Sequence, residues 1–361
     1  DESKALNAIH EAFFLSGRRT VHVFMVGVGL IGSTLLQQIA RQQEALESEY
    51  GIDLRLVGLA NSQRMAFSPE GIAPGRAKDV LLNGPETGDS SVVEVYAGGV
   101  SAFIEKMRNL NLPNTAFCDC TANEDIAKCY VEVLEASIPV ITPNKRANSA
   151  SYEYYSSLRD VSRTRGIPYL YETTVCAGLP VISTIKDLVL AGDKISSIEA
   201  VVSGTLSYIF NNFDGTVPFS QLVRQAKEKG YTEPDPREDL NAMDAARKAL
   251  ILAREAGMAL EFEDISIEPI LPEAALAAES VEAFFLELEK ADAQFEARRR
   301  AAADKGRFLR YVARIDAQGA RLGMAELGPD SPFSSLVDAD NLVVVFTKRY
   351  NTLPLVVRGP G

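Results

Sequence analysis

Tryptophan is absent from this chain of 361 residues, and histidine occurs only twice, as His10 and His22. General acid–base chemistry therefore falls to Lys, Asp, Glu or Tyr. His10 lies in a helical stretch near the N-terminus and His22 heads an apolar strand, so both read as structural. The four cysteines, Cys118, Cys120, Cys129 and Cys176, form no C-x-x-C pair and no metal-ligand spacing with histidine, which points to a reducing, cytoplasmic setting. Basic charge is also short: a formal net charge of −12 argues against non-specific binding to nucleic acid or anionic membranes. A local basic pocket for a phosphorylated cofactor remains open. There is no apolar run of roughly 18 residues, so no membrane span is expected. The opening DESKALNAIHEAFF lacks the basic start and apolar core of a signal peptide.

The chain does have strands that alternate with helices. The run 21–27 is short, apolar and rich in β-branched residues, and Leu30 to Glu47 has helical spacing through Leu35, Leu36, Ile39 and Leu46. Further strands are expected at Leu54–Ala60, Val92–Tyr96, Ala116–Cys120 and Val140–Thr142, with helices at Ser101–Asn109 and Asp125–Ala136. This alternation predicts an α/β, Rossmann-type doubly wound parallel sheet over residues 21–148. A second domain of α+β type is expected over 149–340. Its strands are expected near 168–172, 198–202, 309–315, 320–325, 342–346 and 353–357, and its helices near 181–190, after Asp239 and within 282–310. The Arg298–Arg299–Arg300 run reads as a solvated helix face.

Gly27-Val28-Gly29-Leu30-Ile31-Gly32 places G-x-G-x-x-G between a strand and a helix. The first glycine permits a tight turn, the second lets the backbone approach a pyrophosphate, and the third lets the helix pack against the sheet. The helix N-terminus stabilises the phosphate charge. Asp53 has the sequence spacing of a ribose-binding acid but stands at the start of its strand. The six residues between it and Ala60 span roughly 20 Å. The C-terminal end of that strand reads Asn61-Ser62-Gln63-Arg64, with no acid to repel a 2′-phosphate and one arginine to pair with it, which favours NADP or dual use over strict NAD.

The stretch from Ala226 to Lys248 brings an acidic, proline-containing turn (Glu233, Asp235, Asp239) up to a helix that carries Asp244 and Lys248 four residues apart. Such a pair on a surface helix contributes only about 0.2–0.5 kcal/mol. Here Met243, Ala246, Leu250 and Ile251 surround it. Burial of that kind depresses a lysine pKa and suits a proton donor to a carbonyl oxygen.

The segment A-x3-G-Y-x3-D-P-x2-D-L followed by D-x3-K resembles the signature of homoserine dehydrogenases. GVGLIG, TPNK at Thr142–Lys145, YETTVCAGLP at Tyr171–Pro180 and SGTLSYIFN at Ser203–Asn211 extend the resemblance over nearly the whole chain. One departure is Ala242, where the family usually has glycine. The resemblance implies reversible reduction of aspartate semialdehyde to homoserine with NADPH or NADH, within aspartate-pathway amino-acid biosynthesis. It implies that Glu233 binds the substrate ammonium, Asp239 its polar end, and Gly204 and Thr205 a substrate-contacting turn. Asp244 and Lys248 would position and protonate the oxygen, with Lys145 a second cation near substrate or nicotinamide. Gly27, Gly29, Leu30, Ile31, Gly32, Asn61, Arg64, Thr121 and Lys145 would line the cofactor. Glu172, Val175, Ala177 and Leu179 would hold a monovalent cation, sodium, largely through carbonyls.

The resemblance further implies a homodimer formed through a sheet of the second domain, an N-terminal connector over 1–20 to an aspartate kinase domain, and a segment 341–361 that returns towards the nucleotide domain. It also suggests a fragment cut at both ends. Two other readings stand beside it. One is a phosphorylating semialdehyde dehydrogenase with Cys176 as nucleophile; the other is a nucleotide-binding regulatory or assembly module without turnover.

Overall fold

The structure is a computed structural model that describes residue 6, residues 19–84, the backbone of residues 94–97, and residues 99–360. His10, most of the connector and part of the Val92–Tyr96 strand lie outside the described residues. Two compact units divide the chain: Asp1–Ala147 with Glu153–Tyr171, and Asn148–Tyr152 with Glu172–Gly361.

In the first unit, β1 (Arg19–Val26), β2 (Ile52–Ala60), β3 (Arg64–Phe67), β4 (Glu94–Ala97), β5 (Thr115–Asp119), β6 (Val140–Ile141) and β7 (Tyr169–Leu170) form one sheet in the order β4-β3-β2-β1-β5-β6-β7. The chain runs outward from β1 in one direction and from β5 in the other, so the topological switch point lies between these two strands. The expected all-parallel sheet is corrected at its edge, because β3 runs antiparallel to β2 and β4 antiparallel to β3. Asn61 causes the reversal: its Oδ1 accepts the N–H of Gln63 and of Arg64, both at 2.8 Å, folding the chain straight back. A parallel neighbour would need a long crossover instead.

Successive side chains of a strand point to opposite faces. On one face Val23, Met25 and Leu56 pack with Leu36 of the helix Leu30–Tyr50. On the other, Phe24, Phe67 and Phe117 gather around Phe103 of the helix Val100–Leu110. The helix expected over Asp125–Ala136 is two short ones, Glu124–Ala127 and Tyr130–Glu135. Asn123 caps the first through its side-chain oxygen.

The second unit has β8 (Ile195–Val201), β9 (Ser266–Ile267), β10 (Phe308–Asp316), β11 (Gly319–Leu327), β12 (Asp340–Thr347) and β13 (Leu355–Pro360) in the order β13-β12-β8-β10-β11-β9. Its strands are antiparallel except for the β11–β9 pair. The span 341–360, expected as a return segment, here contributes β12 and β13 to this sheet, with Leu342–Val345 paired on both sides. The boundary expected at 148/149 is also less simple. Asn148–Tyr152 joins the second unit because buried Arg254 donates to the Asn148 carbonyl (2.9 Å) and Glu261 accepts the Tyr152 N–H (2.9 Å). The charged 282–310 stretch is two helices, Val281–Lys290 and Asp292–Ala303, with Phe284, Phe285, Leu288 and Phe295 buried. Arg298, Arg299 and Arg300 pair with Glu268 and Glu296.

The helix Met243–Glu255 packs on β10 and β11 and buries Ala245, Ala246, Ala249 and the run Leu250–Glu255. Asp244 and Lys248, at i and i+4, share the face that stays accessible.

Candidate active site

In the first unit the glycine turn is tied to packing at two positions and open at the third. Gly27 has φ +93°, and a Cβ there would meet the Thr121 side chain at 2.7 Å. At Gly32 a Cβ would stand 1.9 Å from the Gly27 carbonyl oxygen. At Gly29 it would meet nothing within 4 Å. Gly29 is also the N-cap of the helix Leu30–Tyr50, which has no side-chain cap and no acid in its first turn. Leading N–H groups and a positive dipole end without a side-chain cap are the arrangement that accepts a phosphate. Leu30 and Ile31 are 86% and 55% exposed there. The residues present therefore fit a dinucleotide.

At the C-terminal end of β2, Asn61, Ser62, Gln63 and Arg64 form the hairpin tip without a carboxylate. Arg64 begins β3, and its guanidinium donates to the Leu82 carbonyl. Asp53 is taken up at the far end of the strand by Arg55 (2.8 Å) and Thr20 (3.4 Å). His22 is structural: its Nδ1–H donates to the Pro113 carbonyl at 2.6 Å.

The turn that carries Lys145 lies in this unit, after β6. Sequence reasoning missed the buried network beneath it. Asp119, the last residue of β5, accepts from the Tyr130 hydroxyl, from Asn144 Nδ2 (2.9 Å) and from the Thr121 N–H (2.8 Å). The signal lay in the D-C-T and T-P-N-K strings, where short polar residues directly follow buried strands.

In the second unit Lys248 Nζ stands 2.9 Å from Asp244 Oδ2 and donates to the Val202 carbonyl at 2.8 Å, with its side chain 15% exposed and that of Asp244 48% exposed. An ordinary surface pair leaves both partners exposed; this one anchors the amine from two sides. The helix starts at Ala242, whose φ of +60° reverses the chain after the short helix Arg237–Leu240. Asn241 Oδ1 then accepts the Met243 N–H at 2.8 Å.

Asp239, on that short helix, is half-buried. Its Oδ2 accepts the Glu233 N–H (2.8 Å), and the Thr205 hydroxyl lies 2.9 Å from Oδ1. Burial pushes its carboxyl above the usual range, and the nearby Asp244 carboxylate adds to this while Lys248 opposes it. Asp239, Asp244, Lys248, Thr205 and the backbone of Glu233 are thus brought together. Asp235 is not part of the group: Arg237 binds it at 2.6 Å and holds its carboxyl below the usual range. Gly204 opens the helix Gly204–Asn211, capped by Ser203, whose Oγ accepts the Leu206 N–H.

Residues 180–361 match the family model described as homoserine dehydrogenase, and residues 27–172 match the model described as its NAD binding domain. The chain belongs to the homoserine dehydrogenase family. It is similar to the bifunctional aspartokinase/homoserine dehydrogenase 1, chloroplastic, of Arabidopsis thaliana, with 44% identity over 99% of this chain and 38% of that one. The chain therefore spans about 38% of the length of that relative. Among solved structures it is similar to a Candida auris protein of unknown function, with a TM-score of 0.85, 32% identity, and coverage of 95% of this chain and 93% of that one. It also shares the fold of a hyperthermophilic archaeal homoserine dehydrogenase in complex with NADPH, with a TM-score of 0.70, 22% identity, and coverage of 95% and 92%.

Membership of the homoserine dehydrogenase family does not favour the two competing readings. Cys176 is 1% exposed, and burial pushes its thiol up to about 12, which leaves no thiolate for attack at neutral pH. Among the described residues, no helix is long and apolar enough to cross a membrane.

Proposed function

We propose that the chain catalyses the reversible reduction of L-aspartate 4-semialdehyde to L-homoserine, with Lys248 as the proton donor. The observation that carries this reading is the two-sided hold on Lys248 Nζ, 2.9 Å from Asp244 and 2.8 Å from the Val202 carbonyl. A nicotinamide dinucleotide, when bound, would supply the hydride to the aldehyde carbon. Lys248 gives its proton to the aldehyde oxygen as that oxygen gains charge, and Asp244 keeps the amine oriented. Glu233 takes the substrate ammonium, Asp239 its polar end, and Gly204 and Thr205 the turn beside it. In the first unit, Gly27, Gly29, Leu30, Ile31, Gly32 and Thr121 cradle the dinucleotide, and Lys145 stands as a second cation. NADP is favoured over NAD, because Asn61 and Arg64 at the β2 end come without a carboxylate and Asp53 is occupied elsewhere.

Glu172, Val175, Ala177 and Leu179 suit a monovalent cation such as sodium. The set offers one carboxylate plus carbonyls, and that carboxylate already accepts from the Ile182 and Ser183 N–H groups at 2.7 and 2.8 Å. Among the described residues there is no cluster of three or more His, Cys, Asp or Glu that would suit a divalent ion. Left-handed backbone at Cys176 and Ala177 makes the turn. A homodimer through the second sheet, an aspartate kinase partner in the longer protein and a cytoplasmic location complete the proposal. The cytoplasmic location is supported by four free cysteines.

The test is the change in nicotinamide absorbance with homoserine, using either cofactor, for wild type and Lys248→Ala. Loss of one positioned acid should lower kcat by about 10²–10⁴-fold. Undiminished activity in the variant would remove Lys248 from the chemistry.

A further inference from the structure

We propose that Asp119, acting with Tyr130, is a positioning residue that locks the cofactor turn and the Lys145 turn into one register. The inference rests on the reading that Thr121 meets the cofactor and that Lys145 serves the reacting centre. Asp119 and Tyr130 are both fully buried. The Asp119 Oδ1 accepts the Thr121 N–H at 2.8 Å, while Oδ2 accepts the Tyr130 hydroxyl and Asn144 Nδ2, the latter at 2.9 Å. Asn144 also donates to the Asn123 carbonyl at 2.9 Å, so it belongs to both turns. Thr142 closes the set, with its hydroxyl donating to the Asp119 carbonyl at 3.0 Å and lying 2.9 Å from the Tyr130 hydroxyl. The donors that satisfy this carboxylate are an amide, a phenol and a carboxamide, all neutral. Burial, helped by the Asp119 charge, pushes the Tyr130 phenol well up, so it stays protonated and keeps donating.

Satisfaction of a β-strand terminus alone would need only local turn bonds. A carboxylate that gathers donors from residues 121, 130 and 144 instead ties three separate segments to one point. Thr121 in turn packs at Gly27, where a Cβ would meet its methyl at 2.7 Å. The position of Asp119 therefore sets both the wall of the glycine turn and the base of the Lys145 turn.

The test uses Asp119→Asn and Tyr130→Phe, with thermal melting, NADPH affinity by fluorescence titration, and steady-state kcat and KM. Asp119→Asn should weaken NADPH binding and lower kcat by about tenfold each. The volume-conserving Tyr130→Phe should act in the same direction by about threefold, with the double variant less than multiplicative. Wild-type affinity and kcat in both single variants would overturn the inference. So would losses that merely follow the melting temperature and vanish on cooling. If Thr121→Ala and Lys145→Ala also keep wild-type parameters, the underlying reading fails and the inference fails with it. Should Asp119→Asn not fold, Tyr130→Phe decides alone.

Discussion

The two helices that carry candidate site residues, one in each unit, begin in opposite ways. Leu30–Tyr50 starts at Gly29 with no side-chain cap and no acid in its first turn, leaving its positive end free. Met243–Glu255 starts after a left-handed alanine, with Asn241 accepting its first N–H and Asp244 in its first turn, so its positive end is already answered. A helix start left unsatisfied serves an anion through backbone groups, which any sequence can supply if its side chains stay out of the way. A helix start that is satisfied is free to serve as a rigid mount, and its chemistry comes from the side chains one turn on. The candidate residues of the first unit are presented by omission and those of the second by placement.

The largest effect should come from filling the vacant start. Gly29 has an extended backbone that any residue can adopt, and a Cβ there meets nothing, so Gly29→Asp should stabilise the helix by roughly 0.5 kcal/mol. The same carboxylate would face the cofactor phosphates, and the NADPH Kd should rise about a hundredfold or more. A more stable protein with unchanged affinity would break the contrast. Gly32→Ala comes next. Its Cβ would lie 1.9 Å from a backbone oxygen that cannot rotate away, and thermal melting should show a loss of about 1–3 kcal/mol.

At the other start the expected sign is reversed. Ala242 holds φ +60°, which costs an L-residue about 1–2 kcal/mol, and the added freedom of glycine in the unfolded chain offsets part of any gain. Ala242→Gly should therefore stabilise by about 0.5–1 kcal/mol in urea unfolding. A net loss would show that the buried methyl group contributes packing worth more than the strain.

The smallest effect concerns Asp239, whose carboxyl is raised by burial first and by Asp244 second. A raised acid binds its proton more readily when folded than when unfolded, so its contribution to stability falls as pH rises from about 4, the unfolded value, through the folded pKa. Asp239→Asn should melt higher relative to wild type at pH 8 than at pH 4, at the expense of homoserine KM. A difference independent of pH would show that Asp239 is not perturbed by its surroundings.

Legibility differed between the two units for the same reason. The turn of Gly27, Gly29 and Gly32 could be read from its local spacing, and the helix face of Asp244 and Lys248 followed from a four-residue interval. The antiparallel β3 was missed because one Asn side chain reversed the chain. The two strands within 341–360 were legible as strands, but not as members of the second sheet, since strand pairing depends on partners far away in sequence. The Asp119 network joins residues 119, 121, 130, 142 and 144, whose common point exists only once β5 and β6 lie side by side.

The sequence by itself determined the alternation of strand and helix, the glycine turn and the helix face shared by Asp244 and Lys248, because each is encoded in neighbours within one or two turns. Tertiary structure alone decided that Lys248 is held from two sides, that Asp235 is consumed by Arg237 while Asp239 is not, and that Cys176 is too deeply buried to react. Those outcomes depend on burial and on distant acceptors such as the Val202 carbonyl. Desolvation and hydrogen-bond geometry are properties of the packed chain and not of its order.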